Sequence, residues 1–244
     1  MFSIFKKKAA PAPTFACLGT DMHNHLIPQV DDGSSSIDET IHCLETLAEV
    51  GFRRTYITPH FQSHRFPNKE DVIARLYEEV KTEVENRGIP IELAGIGGEY
   101  RIDDSFDSRI VANRFLNVGD KVLVELSLHQ LRMGVEETLF NLGMADHEII
   151  LAHPERYPYY NSHSHTLAAL KEQGVAFQVN ILSLSGFYGS QAQRNALEYI
   201  RKGWVEYLGT DMHNTAYARA LRDATHDRTV RKVLADNHFL NSEL

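Results

Sequence analysis

From about residue 15 onward, short apolar runs alternate with longer stretches whose apolar positions recur at helical spacing. The first run, Phe15 to Thr20, predicts a strand. From Ser36 to Val50, Ile37, Ile41, Leu44, Leu47 and Ala48 fall on one helical face. Ser36 followed by Glu39 fits the start of that helix, and Gly51 fits its end. The pattern then repeats, with strands predicted at 55–58, 91–96, 122–126, 149–152, 176–180 and 207–210. Helices are predicted at 68–87, 135–146, 164–173, 190–202 and 217–234. Regular strand–helix alternation predicts a parallel sheet. Seven such units, with no visible second half, favour a closed or nearly closed α/β barrel over an open sheet.

The residues that carry chemistry sit where these strands end. On a strand, side chains at i and i+2 share a face. His23 and His25 therefore point one way, as do Asp211 and His213. Asp32, His60, Glu99, Glu125 and His153 follow other predicted strands in the same fashion. Barrel active sites gather at that end, so a metal centre is expected there. A catalytic zinc-type site uses about three protein ligands, and five histidines with four carboxylates are enough for two or three ions. Clustered ions of this kind activate water and stabilise in-line displacement at phosphorus. The string Gly19-Thr20-Asp21-Met22-His23-Asn24 recurs as Gly209-Thr210-Asp211-Met212-His213-Asn214. First and last strands are neighbours in a barrel, so both copies should face one site. Asp21, two residues before His23, is a candidate partner for an imidazole.

Other features narrow the choice. A single domain over 15–244 suits a barrel, with 1–14 as a flexible arm carrying Lys6, Lys7 and Lys8. The net charge of −8 argues against nucleic acid as a partner. With two cysteines, no apolar signal core and no membrane-length apolar run, a cytoplasmic protein is expected. Neither Cys17 nor Cys43 has an arginine six residues on, so a cysteine-phosphatase loop is absent. The second HxH pair, at Ser162-His163-Ser164-His165, falls at a loop-to-helix entry and is not assigned to metal. Tyr157, Tyr159 and Tyr160 are read either as a stacking surface for an aryl group or as loop packing.

Taken together, these motifs resemble the polymerase-and-histidinol-phosphatase (PHP) superfamily. The likeness rests on the first HxH, Thr58-Pro59-His60, His153-Pro154-Glu155-Arg156 and the terminal Asp211-Met212-His213. More narrowly, the strings 25–33, 153–157 and 180–186 are similar to bacterial manganese-dependent protein-tyrosine phosphatases of capsule and exopolysaccharide synthesis. The resemblance implies a distorted TIM-like (β/α)7 barrel holding up to three divalent ions, Mn²⁺ with Fe or Zn as alternatives. It implies His23, His25, Asp32, His60, Glu99, Glu125, His153, Asp211 and His213 as ligands, and Arg156 as the group that binds phosphate during catalysis. A planar guanidinium matches phosphate oxygens two at a time. His64, Arg65 and Arg219 are further candidates for lining the phosphate pocket. The expected substrate is a phosphotyrosine protein, such as a bacterial tyrosine kinase of polysaccharide export. The alternative is a small-molecule phosphatase of the histidinol-phosphate type. Arg101 and the tract 127–132 depart from the family pattern and bear on substrate preference.

Overall fold

The structure is a computed structural model describing residues 15–161 and 164–244. The arm assigned to residues 1–14 and the Ser162-His163 part of the second HxH pair lie outside the described residues. The strands are β1 (Thr20–Asp21), β2 (Arg54–Ile57), β3 (His60–Phe61), β4 (Glu92–Ile96), β5 (Glu99–Arg101), β6 (Lys121–Glu125), β7 (Glu148–Ala152), β8 (Ala176–Asn180) and β9 (Val205–Gly209). The helices are α1 (Ile37–Val50), α2 (Glu70–Arg87), α3 (Phe106–Ala112), α4 (Val135–Met144), α5 (Ser164–Glu172), α6 (Ile181–Leu184), α7 (Ser190–Arg201), α8 (Thr215–Ala224) and α9 (Arg228–Asp236).

Every ladder is parallel, in the orders β1-β2-β4 and β3-β5-β6-β7-β8-β9. The two orders belong to one wall. Pro59 has no N–H to give a ladder and separates β2 from β3. Gly97 and Gly98 separate β4 from β5, and a Cβ on Gly97 would meet Val118 at 2.6 Å. Bonds from Gly97 N to Ile57 O (2.9 Å) and Glu99 N to Pro59 O (3.0 Å) carry the pairing across both breaks. First and last strands are joined by His25 N to Met212 O and Asp211 N to His23 O, both 2.8 Å, beside an Asn24–Met212 bridge. The nine segments thus make the seven staves of a parallel ring.

Helix ends follow the sequence signals. The Ser36 side chain accepts from Glu39 N, and Gly51 closes α1 in the left-handed region at φ 114°. The predicted tail helix is two helices, because Asp227 accepts from the N–H groups of Thr229 and Val230 and starts α9 anew. The run from Phe15 is not a strand until Thr20. It forms a turn, with Leu18 N donating to Phe15 O, and Phe15 is buried against Phe52.

Alternation along the strands sets inside against outside. On β6, Leu123 lies in the barrel interior while Val122 and Val124 pack under the helices. On β7, Ile150 and Ala152 lie inside and Ile149 and Leu151 outside. The C-terminal turn plugs the far end. Leu240 and Leu244 pack on the interior cluster, and Asn241 bonds Thr20 O and both backbone groups of Leu208.

Candidate metal centre

The inward-facing positions of the strands lead directly into the site. Glu125 continues the Leu123 face of β6 and is 2 % exposed. On β8 the inward series is Ala176, Gln178, Asn180, both amides fully buried. Alternation would turn His153 outward after Ala152, but His153 adopts φ 35°, and its ring comes back toward Glu99. Asp211 does the same at φ 51°. A left-handed backbone at a non-glycine residue costs of order 1 kcal/mol and recurs where function fixes geometry.

All nine residues expected to bind metal converge. Three donors at a time lie within 4.8 Å of one another in His25/His60/His213, His23/Glu99/His153, His23/His25/Asp211 and His60/Glu99/Glu125. Asp32 joins at the rim, its Oδ1 lying 3.4 Å from His60 Nε2 and 3.7 Å from His213 Nε2. Glu99 is the hub, with Oε2 at 2.9 Å from His60 Nδ1, 3.3 Å from His25 Nε2 and 3.4 Å from His23 Nε2. Burial pushes the Glu99 carboxyl up, but the imidazoles of His23, His60 and His153 outweigh it and hold it well below the usual range. Asp211 is likewise held low against its burial by His213, His23 and Arg156.

Outward-turned hydrogen bonds orient the donors. Asp211 is acceptor-only when ionised, so Asn180 presents its NH₂ to Oδ2 at 2.7 Å. Asn180 Oδ1 then accepts from Gln178 Nε2 at 2.8 Å, and Gln178 Oε1 accepts from His23 Nδ1 at 2.8 Å. The relay fixes the proton of His23 on Nδ1 and leaves the Nε2 lone pair facing the cluster. A Cβ on Gly209 would sit 2.7 Å from Gln178 and 2.9 Å from His23, so only glycine leaves room for this pair. His25 Nδ1 bonds Asp31 at 2.9 Å and His213 Nδ1 donates to Asp211 O at 2.7 Å, with the same result for their Nε2 atoms. His23 Nε2, His25 Nε2, His60 Nδ1 and Glu99 Oε2 are buried and crowd together at 2.9–3.4 Å around Glu99 Oε2, yet none of them makes an aligned hydrogen bond. Each such atom costs roughly 1–3 kcal/mol, and their convergence fits a site for divalent cations.

A cavity of about 250 Å³ opens over the cluster, bordered by Arg65, Arg101, Arg156, Leu128 and Tyr217. Each arginine pairs with a different cluster carboxylate: Arg65 with Asp32 at 3.0 Å, Arg101 with Glu125 at 3.1 Å, and Arg156 with Asp211 Oδ2 at 2.7 Å. His64 and Arg219 are exposed and do not line this cavity. Asp21 does not meet an imidazole by hydrogen bond. It accepts from Thr210 N and Oγ1 and from Asn24 Nδ2, at 2.8–2.9 Å, and latches the first stave to the last. Tyr157 and Tyr160 are buried packing residues, and the Tyr157 hydroxyl ties Leu126 N to Ala152 O. Aromatic groups beside the site include Tyr188, whose ring lies 4.3 Å from the Arg156 guanidinium, Tyr217, and Phe66, which stacks on His60. Sequence reasoning passed over Asp31, Gln178, Asn180 and Tyr188. The alternation of Ala176–Asn180 puts Gln178 and Asn180 on one face, and the family-like strings 25–33 and 180–186 contain Asp31 and Asn180 without marking their roles.

Fold and site together define a TIM-like (β/α)7 barrel of the PHP type, with a candidate metal centre at the C-terminal ends of its staves. Residues 19–238 match the family described as capsular polysaccharide synthesis, CpsB/CapC. The chain belongs to that family. It is 24 % identical over 196 residues to the tyrosine-protein phosphatase YwqE of Bacillus subtilis, covering 80 % of this chain and 77 % of that one. It is 25 % identical over 200 residues to the tyrosine-protein phosphatase CpsB of Streptococcus agalactiae, covering 80 % and 82 %. Among solved structures, one from work on YwqE of Bacillus subtilis and CpsB of Streptococcus pneumoniae, described as metal-dependent tyrosine phosphatases, superposes with a TM-score of 0.77. It is 21 % identical and covers 92 % of this chain and 94 % of that one. A histidinol phosphate phosphatase from Lactococcus lactis shares the fold at a TM-score of 0.53 and 16 % identity, covering 88 % and 93 %.

Proposed function

We propose that this protein is a metal-dependent phosphatase that hydrolyses phosphotyrosine on proteins and thereby regulates synthesis of capsular or extracellular polysaccharide. Membership of the CpsB/CapC family and the activity named for its relatives support this reading. The observation that carries it is the buried set of unpartnered imidazole and carboxylate atoms under a cavity ringed by arginines. His23, His25, Asp32, His60, Glu99, Glu125, His153, Asp211 and His213 would hold up to three divalent ions. Imidazole mixed with carboxylate suits Mn, Fe or Zn better than Ca or Mg, and Mn²⁺ is the ion we assign. When bound, such ions lower the pKa of water and neutralise charge on a phosphoryl group.

The protein's own groups do the rest. Arg156 carries a permanent charge, and Tyr188 and Asp211 Oδ2 hold its guanidinium over the cluster. From there it grips phosphate oxygens through the transition state. Asp211 divides its oxygens, Oδ2 bonding Arg156 and Asn180 and Oδ1 facing His23 and His25 at 3.6 and 3.4 Å. Arg65, 64 % exposed in its side chain, is a second candidate for phosphate. The cognate protein we assign is a tyrosine kinase of polysaccharide export, as the activity and family of the relatives suggest. The test compares a phosphotyrosine peptide with histidinol phosphate as substrates for Mn²⁺-loaded protein. Turnover of the peptide, lost in chelator and restored by Mn²⁺, is expected. Preference for histidinol phosphate, or full activity without metal, would overturn the assignment.

A further inference from the structure

The cavity over the histidine cluster does not end at Arg156. A trough of about 310 Å³ begins on the other side of that side chain, and Leu128 and Arg156 border both spaces. The chemistry changes across this divide. Pro158, Tyr188, Gln191, Ala192 and Asn195 form the trough, all uncharged. Its two amides are already engaged: Gln191 Nε2 donates to Asn195 Oδ1 at 2.9 Å, and Asn195 Nδ2 donates to Glu155 O at 3.1 Å. Glu155 also borders the trough, but it is 1 % exposed, and its carboxylate accepts from Asn180 N and Ser183 Oγ. The walls therefore offer aliphatic and aromatic surface beside the fixed charge of Arg156.

We propose that this trough is a subsite for the polypeptide that carries the phosphotyrosine, and that it takes an apolar side chain next to that residue. The proposal rests on the phosphatase reading and deepens it. A free small phosphate ester is accommodated by the reaction cavity alone. A phosphotyrosine within a chain brings main chain that must leave the aryl group, and an open trough that shares the Leu128 and Arg156 wall with the reaction cavity gives it a place to lie. Burying one apolar side chain there is worth about 10–200-fold in discrimination, as hydrophobic specificity pockets generally are.

The experiment uses Mn²⁺-loaded full-length protein and three substrates: p-nitrophenyl phosphate, the peptide Ala-Leu-pTyr-Leu-Ala and its counterpart with lysine in place of leucine. The unaltered protein should prefer the leucine peptide by at least about tenfold in kcat/KM. Ala192→Trp fills the trough from its floor, and Gln191→Trp does so from an exposed position that disturbs folding least. Both should lower kcat/KM for the leucine peptide by at least about tenfold while p-nitrophenyl phosphate turnover stays within about twofold. Unchanged peptide turnover in a folded Gln191→Trp protein would overturn the subsite, as would no preference between the peptides. An equal fall on peptide and p-nitrophenyl phosphate would do so too, because the trough would then be supporting the reaction cavity. Failure of the unaltered protein to turn over p-nitrophenyl phosphate would instead strike the phosphatase reading itself.

Discussion

Gln178→Leu isolates the relay that orients His23. Gln178 is fully buried, and the substitution removes two bonds at once, the acceptor for His23 Nδ1 and the donor to Asn180 Oδ1. Two buried polar groups lose their partners, at roughly 1–3 kcal/mol each. His23 can relieve its share by carrying the proton on Nε2, but that tautomer has no lone pair facing the cluster. Metal affinity should fall by about 10–100-fold, the range for losing a partner that orients a ligand. Asn180 Oδ1 stays unpaired even where His23 moves its proton, and for a domain of this size about 1 kcal/mol moves Tm by about 2–4 °C, so the metal-free protein should melt at least about 2 °C lower. Gln178→Glu should not restore affinity. Its carboxylate accepts from His23 but faces Asn180 Oδ1, and Asn180 cannot turn its amide without setting oxygen against Asp211. Competition with a fluorescent chelator for Mn²⁺, together with a thermal scan of demetallated protein, measures both effects. A Gln178→Leu protein that binds Mn²⁺ as tightly as the parent would show that the relay does not set the His23 tautomer.

Arg156→Ala should lower kcat/KM by about 10²–10³, the size for one lost transition-state donor, and Arg156→Lys should recover part of it. Metal content should hold, because Asn180 still bonds Asp211 Oδ2, and steady-state kinetics beside elemental analysis checks both. Cys17→Ser and Cys43→Ser should leave turnover within about twofold; burial pushes the Cys43 thiol up to about 12, and neither cysteine lines the reaction cavity. Loss of activity in either folded serine variant would refute the metal-centred chemistry. Asp21→Ala strands the Thr210 N–H, while Thr210 Oγ1 keeps His23 O and Asn24 Nδ2 keeps Thr55 Oγ1 and Tyr56 O, so it should cost at least about 1 kcal/mol and lower Tm in a thermal scan with Mn²⁺ affinity less affected.

How far the sequence could be read depended on the kind of signal. Seven staves and most helices were legible because buried strands and amphipathic helices differ in period, and Ser36 and Gly51 marked their helix as expected. The breaks in the second and third staves were not, since a proline or a glycine pair reads as an end even where flanking bonds carry the ladder through. The convergent histidines and carboxylates were legible because each lies close to the end of a predicted strand, although the structure makes His60 and Glu99 the first residues of β3 and β5 and puts Asp32 in the loop before α1. The groups that orient them were hidden by their ordinariness. Asp31 stands beside Asp32, and only the fold shows that Asp31 reaches His25 while Asp32 sits at the rim. Gln178 and Asn180 carry no charge, and although the alternation of Ala176–Asn180 puts them on one face, nothing in the string marked them as the groups that orient His23 and Asp211.

The hexapeptide that occurs twice shows why residue type alone does not assign a role. Both copies lie on adjacent staves, but the bridge pairs Asn24, the sixth residue of one, with Met212, the fourth of the other. The copies are therefore offset by two residues across the seam. The offset brings the Asp21 side chain to Thr210, from whose backbone N–H and hydroxyl it accepts, closing the ring. Asp211 lies further along, turned by its left-handed backbone so that one oxygen faces His23 and His25 and the other Arg156. The histidines divide similarly, since His23 is fixed through Gln178 whereas His213 is fixed by the carbonyl of Asp211 in its own copy. A symmetric duplication would predict equal partners for equal positions. Here register and one backbone torsion give identical strings separate tasks, one structural and one at the reaction centre, which accords with convergence on a useful strand end.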